Sequence, residues 1–254
     1  MIAETQHKTA WVTGAGKGIG RALVKHLTKD GWTVAISSRT ASDLVALAAE
    51  CPAESVRMFP LDVTDAEVCD RVAGSVFKAL GPLDLAVLNA GTHKAFEAKD
   101  FSVDSVRQLV EVNLMGTVNT LAAVMPRAIQ QGRGQIAVVA SLAGYRGLPT
   151  ASAYGATKAA LINMCEALRP DLARHGIKLQ VINPGFVKTP LTDRNDFPMP
   201  FLISAPDAAA LIVQGLGTDR FEISFPRRFA TIMKVLRLLP DRLFFALTRR
   251  MIEP

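Results

Sequence analysis

The chain has 254 residues and a net charge of +6, with 49% apolar and 20% charged residues. This suits one large α/β domain with a buried core and does not suit a disordered or fibrous chain. No run of roughly 18 apolar residues is free of charges, and the polar start Met1–Thr9 lacks the apolar centre of a secretory signal, so neither a spanning helix nor export is expected.

Short β-rich runs alternate with helical segments. Thr9–Thr13 is the first predicted strand, followed by a helix over Ile19–Asp30, a strand at Thr33–Ser37 and a helix over Ser42–Cys51. Val56–Pro60 is the third strand, Asp65–Leu80 the next helix and Leu83–Leu88 the fourth strand. A long helix over Val103–Gln130 precedes strand Gln135–Val139, helix Ser152–His175, strand Lys178–Ile182, helix Pro206–Gly217 and strand Phe221–Phe225. Most of these strands are apolar on both faces, as parallel strands covered by helices on each side must be. The alternation predicts a single Rossmann-type, doubly wound parallel α/β sheet of about seven strands with right-handed crossovers. No repeat or linker divides the chain. Residues 1–225 are expected to form the catalytic domain and residues 226–254 a helical appendage of it. Cys51, Cys69 and Cys165 have no metal-like spacing and cannot all pair, so no metal site is expected and a reducing cytoplasm is the simplest setting.

In such a sheet, ligands sit beyond the carboxyl ends of the strands, at the switch point of the strand order. The first strand ends there in Thr13-Gly14-Ala15-Gly16-Lys17-Gly18-Ile19-Gly20 and runs into a helix. Glycines let the turn approach a pyrophosphate closely, and the helix start supplies free N–H groups with a positive dipole end. The P-loop spacing does not fit, nor does G-x-G-x-x-G from Gly14, whose last position is Ile19; T-G-x3-G-I-G does. The second strand ends in Ser37-Ser38-Arg39-Thr40 without a carboxylate. An acidic residue would accept from an adenosine 2′-hydroxyl, whereas a 2′-phosphate calls for a cation. Arg39, with Lys17 within reach, therefore favours NADP(H), the alternative being two solvated basic side chains. Asp62 and Val63 would flank the adenine, although Asp62 also competes with Thr64 and Asp65 to cap the next helix.

The fifth strand runs out into Ala140-Ser141, and Tyr154 and Lys158 follow at helical i, i+4 spacing in Tyr-Gly-Ala-Thr-Lys. That spacing puts the ammonium one turn from the phenol, on the same face. A phenol titrates near 10, so acid–base work near neutrality calls for roughly 4 kcal/mol of preference for phenolate. A nearby cation is one source of that preference. Ser141, at the mouth of its strand, is placed to hydrogen-bond an oxygen on which charge develops.

With these pieces in order, the chain resembles a short-chain dehydrogenase/reductase over roughly residues 7–225: T-G-A-G-K-G-I-G at 13–20, L-D-V-T-D at 61–65, N-A-G at 89–91, V-N-L-M-G at 112–116, Ser141, Y-G-A-T-K at 154–158 and N-P-G at 183–185. The resemblance implies that Tyr154 exchanges a proton with the substrate oxygen, and that Lys158 lowers the tyrosine pKa and binds the nicotinamide ribose. It implies further that Ser141 orients substrate and that Asn113 holds a water linking Lys158 to solvent. Asn89, Ala90 and Gly91 would line the cofactor or brace the central strand, and Pro184, Gly185, Val187 and Thr189 would meet the nicotinamide end. The expected activity is NADPH-dependent reduction of a carbonyl compound to an alcohol, with a homodimer or homotetramer built on the helices at 103–130 and 152–175.

The segment Leu191–Ala205, with Phe197, Met199, Phe201 and Leu202, falls where that family has a variable substrate loop and hints at a lipophilic substrate. Leu142, Tyr145 and His93 are further candidates for the pocket; His93 is more readily a surface loop residue than an acid and is left out of the mechanism. From Pro226 to Pro254 the local charge is +5, which leaves the body nearly neutral and gives no basic face for nucleic acid. Phe229, Ile232, Met233 and Leu236, then Leu243, Phe244 and Leu247, repeat at helical spacing there. A stripe covering the body or a subunit partner, a lid, and a peripheral membrane helix are the competing readings, the last not favoured. A hydrolase would need a base for Ser141, and no G-x-S-x-G elbow surrounds it. A non-catalytic NADP-binding sensor on the same fold is the stronger rival, separated by the intact Asn113, Ser141, Tyr154 and Lys158 set.

Overall fold

The computed structural model describes residues 8–194 and 197–250. The first half contains β1 (Thr9–Thr13), α1 (Gly18–Lys29), β2 (Thr33–Ser37), α2 (Ala41–Ala48), β3 (Val56–Met58), α3 (Ala66–Leu80) and β4 (Leu85–Leu88). The second runs through α4 (Val103–Leu109), α5 (Gly116–Gln131), β5 (Gly134–Val139), α6 (Ser152–Arg174), β6 (Ile177–Pro184), β7 (Val187–Lys188) and β8 (Ile203–Ser204). It ends with α7 (Ala205–Leu216), β9 (Glu222–Phe225), α8 (Arg227–Leu238) and α9 (Asp241–Arg249).

Seven parallel strands form one sheet in the order β3-β2-β1-β4-β5-β6-β9, so the chain reverses direction across the sheet between β1 and β4. Diverging loops at that point open a crevice beyond the strand ends. All five residues of β1 are buried, as the apolar run predicts for a central parallel strand. Trp11 is fully buried on one face, with its indole N–H donating to Ser37 Oγ at 2.9 Å, so its polar atom is satisfied. That face packs under α3, α5 and α6 through Val76, Leu121 and Leu161. On the other face, Leu23, Leu27, Leu44 and Ile212 hold α1, α2 and α7. The start of α1 has no side-chain cap, a loss of about 1 kcal/mol. Each large buried side chain contributes roughly 1.5–3 kcal/mol, so packing fixes this helix and leaves its first N–H groups free.

Three boundaries differ from expectation. The third strand stops at Met58: Phe59 N–H makes the last ladder bond, to Ile36 O, and Pro60, with its fixed φ and no N–H, follows at once. The fourth begins at Leu85, since the backbone of Leu83 is occupied by the Gln131 side chain. The predicted helix at 103–130 is interrupted by a π turn over Val110–Met115. That turn carries Asn113, fully buried, and it precedes Gly116, where a Cβ would lie 2.5 Å from Val63 Cγ2. Val103–Gln131 is long and apolar enough to cross a membrane, but it packs against α3 and α6 inside the domain.

The appended hairpin α8–α9 is tied to the loop after β5. Arg146 donates to the main-chain carbonyls of Leu236 and Leu239, pairs with Asp241 at 2.6 Å and lies 3.9 Å above the Phe244 ring. It thus satisfies carbonyls that the end of α8 leaves open. Ala230, Met233 and Phe244 are buried against the body. Ile232, Val235, Leu238, Leu243, Phe245 and Leu247 are exposed, so only part of the apolar pattern covers the domain. The last four residues of the expected appendage lie outside the described residues. Arg146→Ala should weaken docking of the hairpin by about 2–4 kcal/mol, the sum of a few charge-assisted bonds and a cation–π contact. Hydrogen exchange should then accelerate across 230–248 and remain unchanged in β1, β4 and β5.

Candidate active site

A cleft of about 340 Å³ opens beyond the carboxyl ends of β1, β4, β5 and β6. The glycine turn forms one wall. Gly14 has φ +63° and lies so close to β4 that a Cβ would sit 2.8 Å from Ala90 Cα. A Cβ on Gly20 would meet the carbonyl oxygen of Gly14 at 2.4 Å. Asn89 braces the turn from behind, its amide donating to the carbonyls of Thr13 and Gly14 at 3.1 Å each. Of the two roles left open for Asn89, its side chain takes the structural one. Gly14, Lys17, Gly18, Ile19, Asn89 and Gly91 line the cleft, while Gly20 and Ala90 support that lining. This is a cradle shaped for backbone to approach a phosphate at an uncapped helix start.

Other predicted cofactor residues sit differently. Ser38 and Arg39 lie at the rim outside the cleft lining, and Arg39 is exposed with no side-chain partner among the described residues. Asp62 turns inward locally, accepting from the Thr64 backbone N–H and hydroxyl. Asp65, not Asp62, caps α3, through Val68 N at 2.9 Å. Val63 is buried under Gly116 and does not reach the cleft. The structure adds one carboxylate that the sequence reading missed. Asp43, in the first turn of α2, lies 3.3 Å from Lys17 Nζ and packs beside Gly16 and Ser38. Asp43 lies beyond the end of β2 in the chain, and the turn into α2 brings it back to the glycine loop.

Pro184, Gly185, Val187 and Thr189 line the opposite wall, as predicted, together with Pro190, Leu191 and Thr192. Thr192 was not singled out by sequence; its hydroxyl donates to Val187 O at 2.7 Å and so fixes the strand that faces the cleft. Phe186, Phe197, Phe201 and Phe229 form a ring cluster above Gly185, with Phe229 stacked on Phe186 at 5.6 Å. Leu142 and Tyr145 turn away from the cleft. Leu142 packs with Ala230 and Met233, and the Tyr145 hydroxyl donates to Glu222, which Asn183 and Lys234 also reach. Parts of the substrate loop, Asn195 and Asp196, lie outside the described residues.

Ser141, Tyr154 and Lys158 meet at the floor of the cleft. Ser141 Oγ accepts from Ala143 N at 3.1 Å and donates to Pro184 O at 3.4 Å, and it lies close enough to the Tyr154 phenol to favour its ionised form. Lys158 is buried, donates to Val139 O at 2.9 Å and lies 5.8 Å from the centre of the Tyr154 ring. Burial dominates both titrations. It pushes the Tyr154 phenol above its ordinary value, with Ser141 pulling the other way, and it lowers the Lys158 ammonium to about 8. Lys158 is thus directed at the Val139 carbonyl, and without a dinucleotide burial outweighs the interactions that favour the phenolate of Tyr154. Asn113 exchanges two hydrogen bonds with the Thr92 backbone, at 2.7 and 2.9 Å, and also reaches Thr157. Its side chain thereby clamps the loop after β4.

His93, one of the pocket candidates, is half-buried beside the cleft and is not among the residues that line it. Its ring meets the Tyr154 ring edge-on at 4.6 Å, and both ring nitrogens are buried without a hydrogen-bond partner among the described residues. Burial lowers its pKa, so the imidazole is held neutral.

Comparison with known proteins agrees with this geometry. A family model described as short chain dehydrogenase matches residues 8–197. An uncharacterized oxidoreductase of Myxococcus xanthus is 40% identical over 98% of this chain and 100% of its own length. A short-chain dehydrogenase structure from Streptomyces avermitilis superposes with a TM-score of 0.83 at 27% identity, covering 96% of this chain and 97% of its own. The structure of ElxO with NADP bound gives 0.77 at 25% identity, covering 98% of that protein but 86% of this chain.

The buried lysine makes a testable claim on stability. Below pH 8 the folded protein carries a desolvated cation, while between about 8 and the ordinary 10.5 the unfolded chain holds that proton and the folded one does not. Stability should therefore rise with pH through this window, by about 3 kcal/mol from Lys158. Lys158→Met should be more stable at pH 7 and should lose this rise, as read from urea midpoints at pH 7 and 10.

Proposed function

Because the chain belongs to the short-chain dehydrogenase family, we propose that it is an NADPH-dependent oxidoreductase that reduces a ketone or aldehyde to an alcohol, with Tyr154 as the proton donor. The observation that carries this reading is the half-buried Tyr154, its phenol on the cleft floor with Ser141 and Lys158, facing the glycine cradle across one cleft. Burial keeps the phenol protonated, which is the state a donor must have before reduction.

The residues fit a dinucleotide. The Gly14–Gly20 turn and the free start of α1 would hold the pyrophosphate, and Val187 and Thr189 would face the nicotinamide end. When bound, the dinucleotide supplies the hydride. Ser141 Oγ and the Tyr154 hydroxyl then hydrogen-bond the carbonyl oxygen, and Tyr154 passes it a proton as negative charge develops. Lys158, anchored at Val139 O, contributes its charge as the phenol loses that proton. Water is limited at this point, since Ser141 is 9% and Lys158 4% exposed, so the charges act at short range and low screening.

Selection of NADPH rests on Arg39 and Lys17. Lys17 pairs with Asp43, whereas Arg39 has no carboxylate partner among the described residues. The NADP bound by ElxO supports the choice by analogy. A cytoplasmic protein is in keeping with Cys51, Cys69 and Cys165, all free. Assembly into a dimer or tetramer through α4–α5 and α6 is part of the same reading.

Tyr154→Phe should lower kcat for carbonyl reduction by at least about 10²-fold, with the NADPH Kd from fluorescence titration essentially unchanged. Full activity in that variant would remove Tyr154 from the mechanism. Arg39→Ala should weaken NADPH about tenfold and NADH hardly at all, as expected for loss of a charge-assisted phosphate contact. Equal losses in the two titrations would reject Arg39 as the 2′-phosphate ligand.

A further inference from the structure

His93 combines two observations that do not belong together in a purely structural residue. Tyr154, which its ring touches, packs against an apolar cluster of Phe96, Val106, Leu109 and Ala153. The imidazole brings two polar nitrogens up to that cluster, and neither has a hydrogen-bond partner among the described residues. Buried polar groups are nearly always paired, and an unpaired one costs stability. A phenylalanine would make the same edge-on contact with Tyr154 without this cost. The loop is not loose either. Asn113 clamps Thr92 on one side, and Phe96 N donates to Thr150 O at 3.1 Å on the other. Thr150 itself has φ +60°, a left-handed conformation costly for a β-branched residue. The chain thus spends stability to hold an unsatisfied imidazole against the proton donor.

The position says what the nitrogens are for. Thr92, the preceding residue, and Tyr154, the ring that His93 touches, both line the cleft. His93 is half-buried and does not itself line the cleft, so turning a nitrogen toward a ligand on Tyr154 takes a side-chain rotation, beside the exposed Gly91, Lys94 and Ala95. A neutral imidazole offers one N–H donor and one acceptor. The reacting oxygen is already served by Ser141 and Tyr154. We propose that His93 is a specificity-determining residue that hydrogen-bonds a second polar group of the substrate, a hydroxyl or carbonyl oxygen a few bonds from the reacting carbonyl. The substrate class is then a carbonyl compound functionalised close to its reacting carbon, such as a ketoester or hydroxyketone. This rests on the oxidoreductase reading above and narrows it.

The test compares wild type, His93→Phe and His93→Gln on ethyl acetoacetate and on methyl pentyl ketone, a chain of matched length without the second oxygen function. His93→Phe should raise the thermal midpoint, since it removes two unpaired nitrogens. It should lower kcat/KM for ethyl acetoacetate by at least about tenfold, chiefly through KM, and leave methyl pentyl ketone within about twofold. His93→Gln, which keeps a donor and an acceptor, should recover part of the loss. Equal effects of His93→Phe on the two ketones, or none on either, would overturn the proposal. A second readout does not need turnover: the imidazole nitrogen NMR signals of His93 in the NADPH-loaded Tyr154→Phe protein should shift on titration with ethyl acetoacetate and not with methyl pentyl ketone. Unmoved signals also overturn it. A wild type that reduces neither ketone, with the His93 signals still responding to ethyl acetoacetate, would count against the oxidoreductase reading and not against His93 as the polar contact.

Discussion

The close approach of the glycine turn after β1 to the mouth of β4 sets the geometry of everything around it. No side chain fits at Gly14 or Gly20, and the Asn89 amide ties the two segments together through the carbonyls of Thr13 and Gly14. The approach is possible because β1 and β4 are neighbours at the reversal of strand order. Once they are locked, the start of α1 points into the crevice, Gly91 and Thr92 line its rim, and Asn113 can hold Thr92 from the π turn. A second constraint follows from the first. Because the loop after β4 is fixed at Thr92, the next side chain is delivered onto Tyr154.

Much of this was legible in the sequence, for a physical reason. Parallel strands buried on both faces leave uninterrupted apolar runs, and the turn that receives a phosphate must be glycine. Those features are local, so the sheet, the cradle and the Tyr154–Lys158 spacing could be read directly. What sequence did not give depends on chain segments that meet only in space. Asp43 reaches Lys17 because α2 starts immediately after the turn from β2. Leu142 and Tyr145 were expected in the pocket and instead hold the hairpin, because Glu222 and α8 lie on that side. The π turn has no marker in composition, as it arises where the buried Asn113 amide takes the backbone of another loop as its partner. His93 could be named as a pocket candidate, but its edge-on contact with Tyr154 depends on how the loop after β4 folds and had no local sign.

Burial governs the chemistry of the floor more than charge pairing does. The spacing of Tyr154 and Lys158 suggested an ammonium that pulls the phenol toward ionisation. In the folded cleft both groups are removed from water, and each is shifted toward its neutral form. A neutral phenol beside a lysine with a pKa of about 8 is a proton store that stays filled at neutral pH, and charge arriving with a ligand is free to reset the balance.

The hairpin α8–α9 is fastened largely by what a backbone can offer. Arg146 grips carbonyls of Leu236 and Leu239, contacts that demand no particular side chain at those positions. Only a few anchors, Met233 and Phe244 among them, must keep their shape, whereas Val235, Leu238 and Phe245 face outward. The outer surface of this module is therefore open to change without disturbing its seat. A designer can treat that surface as a replaceable faceplate.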